Sequence, residues 1–421
     1  MKILFRIMML MVLFFGFVAC GDEDNVTDET ESFEAKYQKA DLHAENVSPE
    51  FVAANTTLAA KLFDSLNIEG ENLMISPLSV SIAMAMALNG ATGDNFDEMK
   101  TVLEYDSMTM EDVNSSFYNL INSLVEADKD MVLSIADSAW MYDAFGESFN
   151  EEYVNLLKDK YIAEPYLLDF SSDTAVDTIN NWVSDNTDGK IKYIIDKIPD
   201  LARMFLINAI YFNASWTVAF DDKKTWEGTF TKSDGDMITV EYMKHLDQKF
   251  EYRNPGTFRT IRLPYGRGKF SFYGIIPSMD RTIDDLTADI VENGVEEYLN
   301  NLSETEIGVV LPKFKFEYTN DLVKAFQSLG MEEAFNEGSF VNIGDFPEGL
   351  FIAEVIHKTF IEVSENGTEA AAVTEVEMDA GDSGVEPEGF FGTKPFVYII
   401  RDDRSGTILF MGKVADPTVE K

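Results

Sequence analysis

The 421-residue chain has one cysteine, three histidines and 33 lysines plus arginines against 75 aspartates plus glutamates. Each shortage excludes something. A lone cysteine, Cys20, leaves no partner for an intrachain disulfide. A formal charge of −42 argues against nucleic acid as a partner, because phosphate binding needs clustered Lys and Arg. His43 lies in an acidic stretch and His245 in a polar one, so neither is placed as a general base. There is no Gly-x-Ser-x-Gly elbow, no paired-histidine zinc motif and no phosphate-cradling glycine loop, and Gly266-Arg267-Gly268 is too short to be more than a turn. The sequence therefore implies no enzyme, no metal and no cofactor.

Hydrophobic residues make up 45% of the chain and aromatics 12%, enough for a large core. No linker-like shift of composition appears after residue 50. Before it, Lys2 and Arg6 precede an apolar run, MMLMVLFFGFVA, too short to span a membrane comfortably as a permanent helix. The run ends Phe17-Val18-Ala19-Cys20, which resembles a bacterial lipoprotein cleavage box with Cys20 as the lipidated residue. Gly21-Asp22-Glu23-Asp24 resembles the acidic export tag of surface-exposed lipoproteins. The expected organisation is a signal peptide over residues 1–19, an acidic disordered tether over 20–47 and one folded domain over 48–421. On this reading the protein is anchored to the outer membrane through Cys20, facing the cell surface.

Caps and periodicity predict the elements. Ser48-Pro49-Glu50 reads as a helix start, followed by Phe51, Ala54, Leu58, Leu62 and Leu66 at helical spacing. Ser76-Pro77 opens a second helix that is apolar on most sides, and Asp173, Val176, Ile179 and Val183 mark a third, ending near Gly189. Met131, Leu133 and Ile135 alternate as in a strand, as do Phe314, Phe316 and Tyr318. Phe396–Ile400 and Thr407–Val414 flank a turn and read as a hairpin. Helices early and strands late favour an α+β fold.

The segment Glu365 to Asp379 is the most informative. Thr368, Ala370, Ala372, Thr374, Val376 and Met378 share one strand face, uncharged and small at its start. Glu369, Ala371, Val373, Glu375, Glu377 and Asp379 share the other. The next residues, DAGDSGVEPEGFFG, read as an exposed loop rich in glycine. A strand-competent segment tethered to an open loop can join a sheet once that loop is cut.

The run from Glu365 to Thr374 resembles the reactive-loop hinge of the serpins, the serine protease inhibitor superfamily. Asn72–Met99 resembles that family's early Ser-Pro helix, Phe205–Phe220 its central strand ending at a Trp, and Lys394–Pro417 its closing hairpin. The resemblance implies large mixed β-sheets, a helical cluster and an exposed reactive-centre loop, here about 365–393. It implies a monomer that inhibits a protease irreversibly through a covalent acyl complex. The hinge would be Glu365, Gly367, Thr368, Glu369, Ala370, Ala371, Ala372, Val373 and Thr374. Ser76, Ser79, Asn208 and His357 match the family's shutter, and Trp216 the aromatic of its upper breach. Read without the resemblance, Ser76 is a helix cap, Ser79 a packed hydroxyl, His357 a satisfied core histidine and Trp216 a core aromatic.

By the family's spacing from Glu365 the scissile bond is Gly381–Asp382, with Met378–Asp379 and Ala380–Gly381 as alternatives. Gly392 and Thr393 depart from the usual signature before Lys394-Pro395-Phe396. No Lys or Arg lies between Glu365 and Thr393, which disfavours a trypsin-like target and suits elastase-like, subtilisin-like or papain-like enzymes. A non-inhibitory member of the family and a surface binding lipoprotein are the rival readings.

Overall fold

The computed structural model describes residues 33–125, 127, 131–143, 148–187, 189–278, 280–336, 340–347, 349–368 and 388–419. Five helices position the features of interest: α1 (Phe33–Glu45), α2 (Pro49–Leu66), α3 (Pro77–Leu88), α4 (Met110–Val125) and α5 (Ala175–Asn186). The two Ser-Pro starts behave as caps. Ser48 accepts from the Phe51 amide and Ser76 from the Ser79 amide, each with proline in the first turn. Every residue of α3 is buried, as its apolar circumference requires.

Among the described residues, one sheet holds β1 (Met131–Tyr142), β2 (Tyr166–Leu168), β3 (Met204–Ser215), β4 (Phe314–Asp321), β5 (Ile352–Ser364) and β6 (Gly367–Thr368). Their order in space is β4-β5-β6-β3-β1-β2. β3 is buried from Met204 through Phe212, which explains its nearly unbroken apolar run. β4 lies at an edge, where Phe314 and Phe316 point inward and Lys315 and Glu317 stay exposed. One face of this sheet packs on α3 and on a second, nine-stranded sheet that includes Phe258–Tyr265, Gly389–Phe391 and the hairpin Phe396–Asp402 with Ile408–Val414. The opposite face is covered by α5 through Ile179, Val183, Phe205, Ile207 and Ile356. The result is the α+β arrangement expected from the order of elements.

Part of the tether expected over 20–47 is folded, because residues 33–45 form α1; residues 20–32 lie outside the described residues. Tyr37, Ala40 and Ala44, at i, i+3 and i+7, are buried on one face, and the helix packs on α4. His43 bonds Asn119 at 3.0 Å rather than lying in a solvated linker. Asp41 pairs with Lys269 and with Arg404, the latter at 3.3 Å. An apolar face made of two alanines and a tyrosine is too weak to stand out in an acidic stretch.

Burial works to raise the Asp41 carboxyl, but hydrogen bonds and charge from Lys269 and Arg404 hold it below its ordinary value. A carboxylate depressed by folding stabilises above its unfolded pKa of ~4, and that stability is lost as pH falls through the folded value. Asp41→Asn should therefore cost about 0.5–1 kcal/mol near neutral pH, reduced by solvent screening of this part-exposed pair. Denaturant unfolding should show the difference shrinking below pH ~4. A difference that is constant with pH would refute the assignment.

Candidate functional site

The six-stranded sheet is paired differently at its two ends. From Ile352–Met204 to Phe360–Tyr211, β5 and β3 are direct parallel neighbours. Above that, β6 lies between them, antiparallel to both: Thr368 is level with Val363 and Ala214, and Gly367 with Ser364 and Ser215. The chain leaves the top of β5, turns at Glu365 and Asn366, and starts back down the gap.

Each residue of that turn is held. Glu365, 1% exposed, accepts from the Thr225 hydroxyl at 2.5 Å and pairs with Lys313 at 3.4 Å. The Phe220 amide donates to the Glu365 carbonyl at 2.8 Å. Trp216 straps the turn from both sides, its amide donating to the Asn366 carbonyl at 3.0 Å and its indole to the Ser364 carbonyl at 2.8 Å. Its ring stacks on Tyr265 with centroids 4.4 Å apart, and the Tyr265 hydroxyl meets that of Thr368 at 2.8 Å. Gly367 has φ +150°, and a Cβ there would lie 2.1 Å from the Ala214 carbonyl oxygen, so only glycine fits.

Lower on the same seam, His357 of β5 and Asn208 of β3 are register partners. The Ser76 amide donates to His357 Nε2 at 3.0 Å, so Nδ1 carries the proton and donates to Asn208 Oδ1. Asn208 Nδ2 in turn donates to the Ser79 hydroxyl and, at 2.8 Å, to Asp137 Oδ1. The Ser79 hydroxyl also donates to Asp137 Oδ1 at 2.8 Å. The structure thus brings Ser76, Ser79, Asn208 and His357 into one buried network and places Trp216 at the top of the same seam. Ser76 caps α3 with its hydroxyl and holds His357 with its amide, so the local role and the network role coincide.

Sequence reasoning missed Asp137, Lys313 and Tyr265. Only Asp137 left a signal, a carboxylate inside the apolar run of β1. The expected loop bounds, 365–393, narrow at both ends. Residues through Thr368 belong to the six-stranded sheet, and Gly389–Phe391 is a strand of the other sheet, with Phe390 fully buried. The two ends of the intervening segment are therefore anchored in different sheets. Glu369, Ala370, Ala371, Ala372, Val373 and Thr374, the candidate scissile residues Met378, Asp379, Ala380, Gly381 and Asp382, and the lipidation candidate Cys20 lie outside the described residues.

A family model described as serpin (serine protease inhibitor) matches residues 53–417. An uncharacterized serpin-like protein of Thermococcus kodakarensis is 32% identical over 383 residues, covering 90% of this chain and 88% of its own. Intracellular coagulation inhibitor 2 of Tachypleus tridentatus is 32% identical over 386 residues, covering 90% and 93%. The solved structure of the thermophilic serpin tengpin in its native state matches with a TM-score of 0.80 at 30% identity, over 88% of this chain and 95% of that one.

Burial pushes the His357 imidazole down to about 3, so the folded chain keeps it neutral. Below the unfolded value of ~6.5 the unfolded chain takes up a proton that the folded chain refuses, and stability falls by up to ~1.4 kcal/mol per pH unit. Asp137 has the opposite slope, since burial raises its carboxyl despite the bonds from Ser79 and Asn208. That slope cancels when two forms sharing Asp137 are compared. His357→Gln should lower stability at neutral pH and lose less on acidification than the wild type. Denaturation curves that stay parallel from neutral to acidic pH would refute the neutral-imidazole assignment.

Proposed function

The chain belongs to the serpin family, and from that membership we propose that it is an irreversible suicide-substrate inhibitor of endopeptidases. The observation that carries this reading is Gly367–Thr368, already seated between β5 and β3. Loop insertion and release of stored strain are general devices of this family. What this chain contributes is a seam that is open at the top and a following segment able to continue down it.

The register of β6 fixes where that segment would go. Continued residue by residue, Ala370 would come level with Phe212 and Ile361, and Thr374 level with Asn208 and His357. Thr368 faces the interior toward Tyr265, so the small, uncharged residues of its face would enter the core side. Val376 and Met378 would add about 1.5–3 kcal/mol each on burial.

In this mechanism a protease attacks the segment after Thr368 and forms an acyl-enzyme. The freed arm descends between β5 and β3, while Gly389–Phe391 stays in the other sheet. A dozen residues at ~3.3 Å each carry the tethered enzyme about 40 Å. Distortion that removes one oxyanion-hole donor costs ~2.7–4 kcal/mol in the transition state, and deacylation stalls. The absence of Lys and Arg from the loop favours elastase-like, subtilisin-like or papain-like targets over trypsin-like ones.

Incubation with such a protease should give a covalent complex that survives SDS, with the bond cut at or near Gly381–Asp382. Cleavage without complex, and with no gain in heat resistance, would sink the inhibitory reading in favour of a non-inhibitory serpin. Thr368→Arg, which places a charge where the Thr368 hydroxyl meets that of Tyr265, should turn inhibitor into substrate, read as a rise in the stoichiometry of inhibition.

We place the protein as a lipoprotein of the outer membrane, held at the cell surface by lipidated Cys20. Supporting this are the cleavage-box resemblance and the chain's lone thiol. Residues 21–32, extended, would reach at most about 40 Å from the anchor to α1. Palmitate labelling of the protein in cells should disappear in Cys20→Ala, and persistence of the label would exclude this anchor.

A further inference from the structure

A cavity of about 570 Å³ opens on the flank of the six-stranded sheet, between β1, α3 and α4. Its apolar wall is formed by Leu133 and Ile135 of β1, Ile82 of α3, and Ile121 and Leu124 of α4. Asp137 lines the same cavity. Its Oδ1 is occupied twice, by Ser79 and Asn208, but its Oδ2 is buried without a hydrogen-bond partner. Among the described residues lining the cavity there is no Lys, Arg or His. Tyr161, the nearby hydroxyl, donates instead to Asn114 at 2.6 Å. Ionised, that oxygen is costly to leave without a donor, by about 1–3 kcal/mol or more, and burial accordingly raises the carboxyl; a cation seated on it would hold it ionised.

We propose that this cavity binds an amphiphilic primary amine, its apolar body against the isoleucine and leucine wall and its ammonium on Asp137 Oδ2. The volume lies in the range of small-molecule sites, which pair apolar walls with a few placed polar groups. An ammonium supplies both the missing donor and the missing cation. A neutral alcohol supplies only the donor, and a carboxylate or phosphate is repelled. The ligand would complete a network that already joins β1 to β3 and α3 through Asn208 and Ser79. If the proposed insertion mechanism holds, an occupied cavity would also brace β1 and β3 beside the seam that has to part. The binding itself does not depend on that mechanism.

The test is calorimetric titration of the full chain with phenylbutylamine, with phenylbutanol and phenylbutyrate as controls, in enough salt to screen the surface charge. One amine should bind per chain, at least about tenfold tighter than the alcohol, equivalent to ~1.4 kcal/mol. Phenylbutyrate should not bind. Asp137→Asn should lose the preference for the amine, and Leu124→Trp, which fills the cavity and keeps the carboxylate, should abolish binding. Equal affinities for amine and alcohol, an Asp137→Asn chain that keeps the preference, or a Leu124→Trp chain that binds as the wild type does would each overturn the proposal. If Asp137→Asn fails to fold, Leu124→Trp decides alone. Amine binding that persists in a chain unable to inhibit any protease would leave this site standing while the inhibitory reading fell.

Discussion

The seam between β5 and β3 is the constraint on which the rest of this molecule depends. Here, among the described residues, the six-stranded sheet joins two strands as parallel neighbours below and separates them above, with Gly367–Thr368 as the wedge. A strand lying between the two could form an antiparallel ladder with each, replacing one ladder by two. Each added backbone bond contributes on the order of 0.5–1.5 kcal/mol net. Below Gly367–Thr368 the described strands lack those bonds: β5 pairs directly with β3, and the next described strand, Gly389–Phe391, lies in the other sheet.

Polar groups mark both levels of the seam, and their burial gives them leverage. At the top, Glu365, Trp216 and Tyr265 fix the turn through hydrogen bonds and a stacked ring pair. Halfway down, His357 and Asn208 bridge the strands, and the network runs on through Ser79 to Asp137. Such a network rigidifies the closed sheet while it is satisfied and is expensive to leave half-broken. The neutral imidazole and the protonation-prone carboxyl respond to pH in opposite directions, so the cluster balances two burial costs within a few ångströms.

Much of this was readable before the fold was known, for local reasons. Ser48-Pro49 and Ser76-Pro77 mark helix starts because a capping hydroxyl and a residue lacking an amide proton act within one turn. β4 was legible from its alternation and the closing hairpin from its two apolar runs, since edge and hairpin strands carry their own patterning. Ser76, Ser79, Asn208 and His357 were legible only through family resemblance, since nothing local joins residues so far apart in the chain. Helix α1 was missed because its buried face is made of Tyr37, Ala40 and Ala44, and its acidic residue Asp41 finds its partners, Lys269 and Arg404, far along the chain.

Sequence alone determined the family, the α+β class and the glycine pivot, because these reside in residue type and short-range spacing. Tertiary structure alone decided that Glu365 would be locked by Thr225 and Lys313, that Thr368 would face Tyr265, and that Asp137 would share one buried network with His357 while keeping an oxygen unpaired beside a cavity. Those outcomes depend on which strands become neighbours and which face each presents. A one-residue slip of register would exchange every inward side chain for an outward one, and the register is set by packing across the whole core.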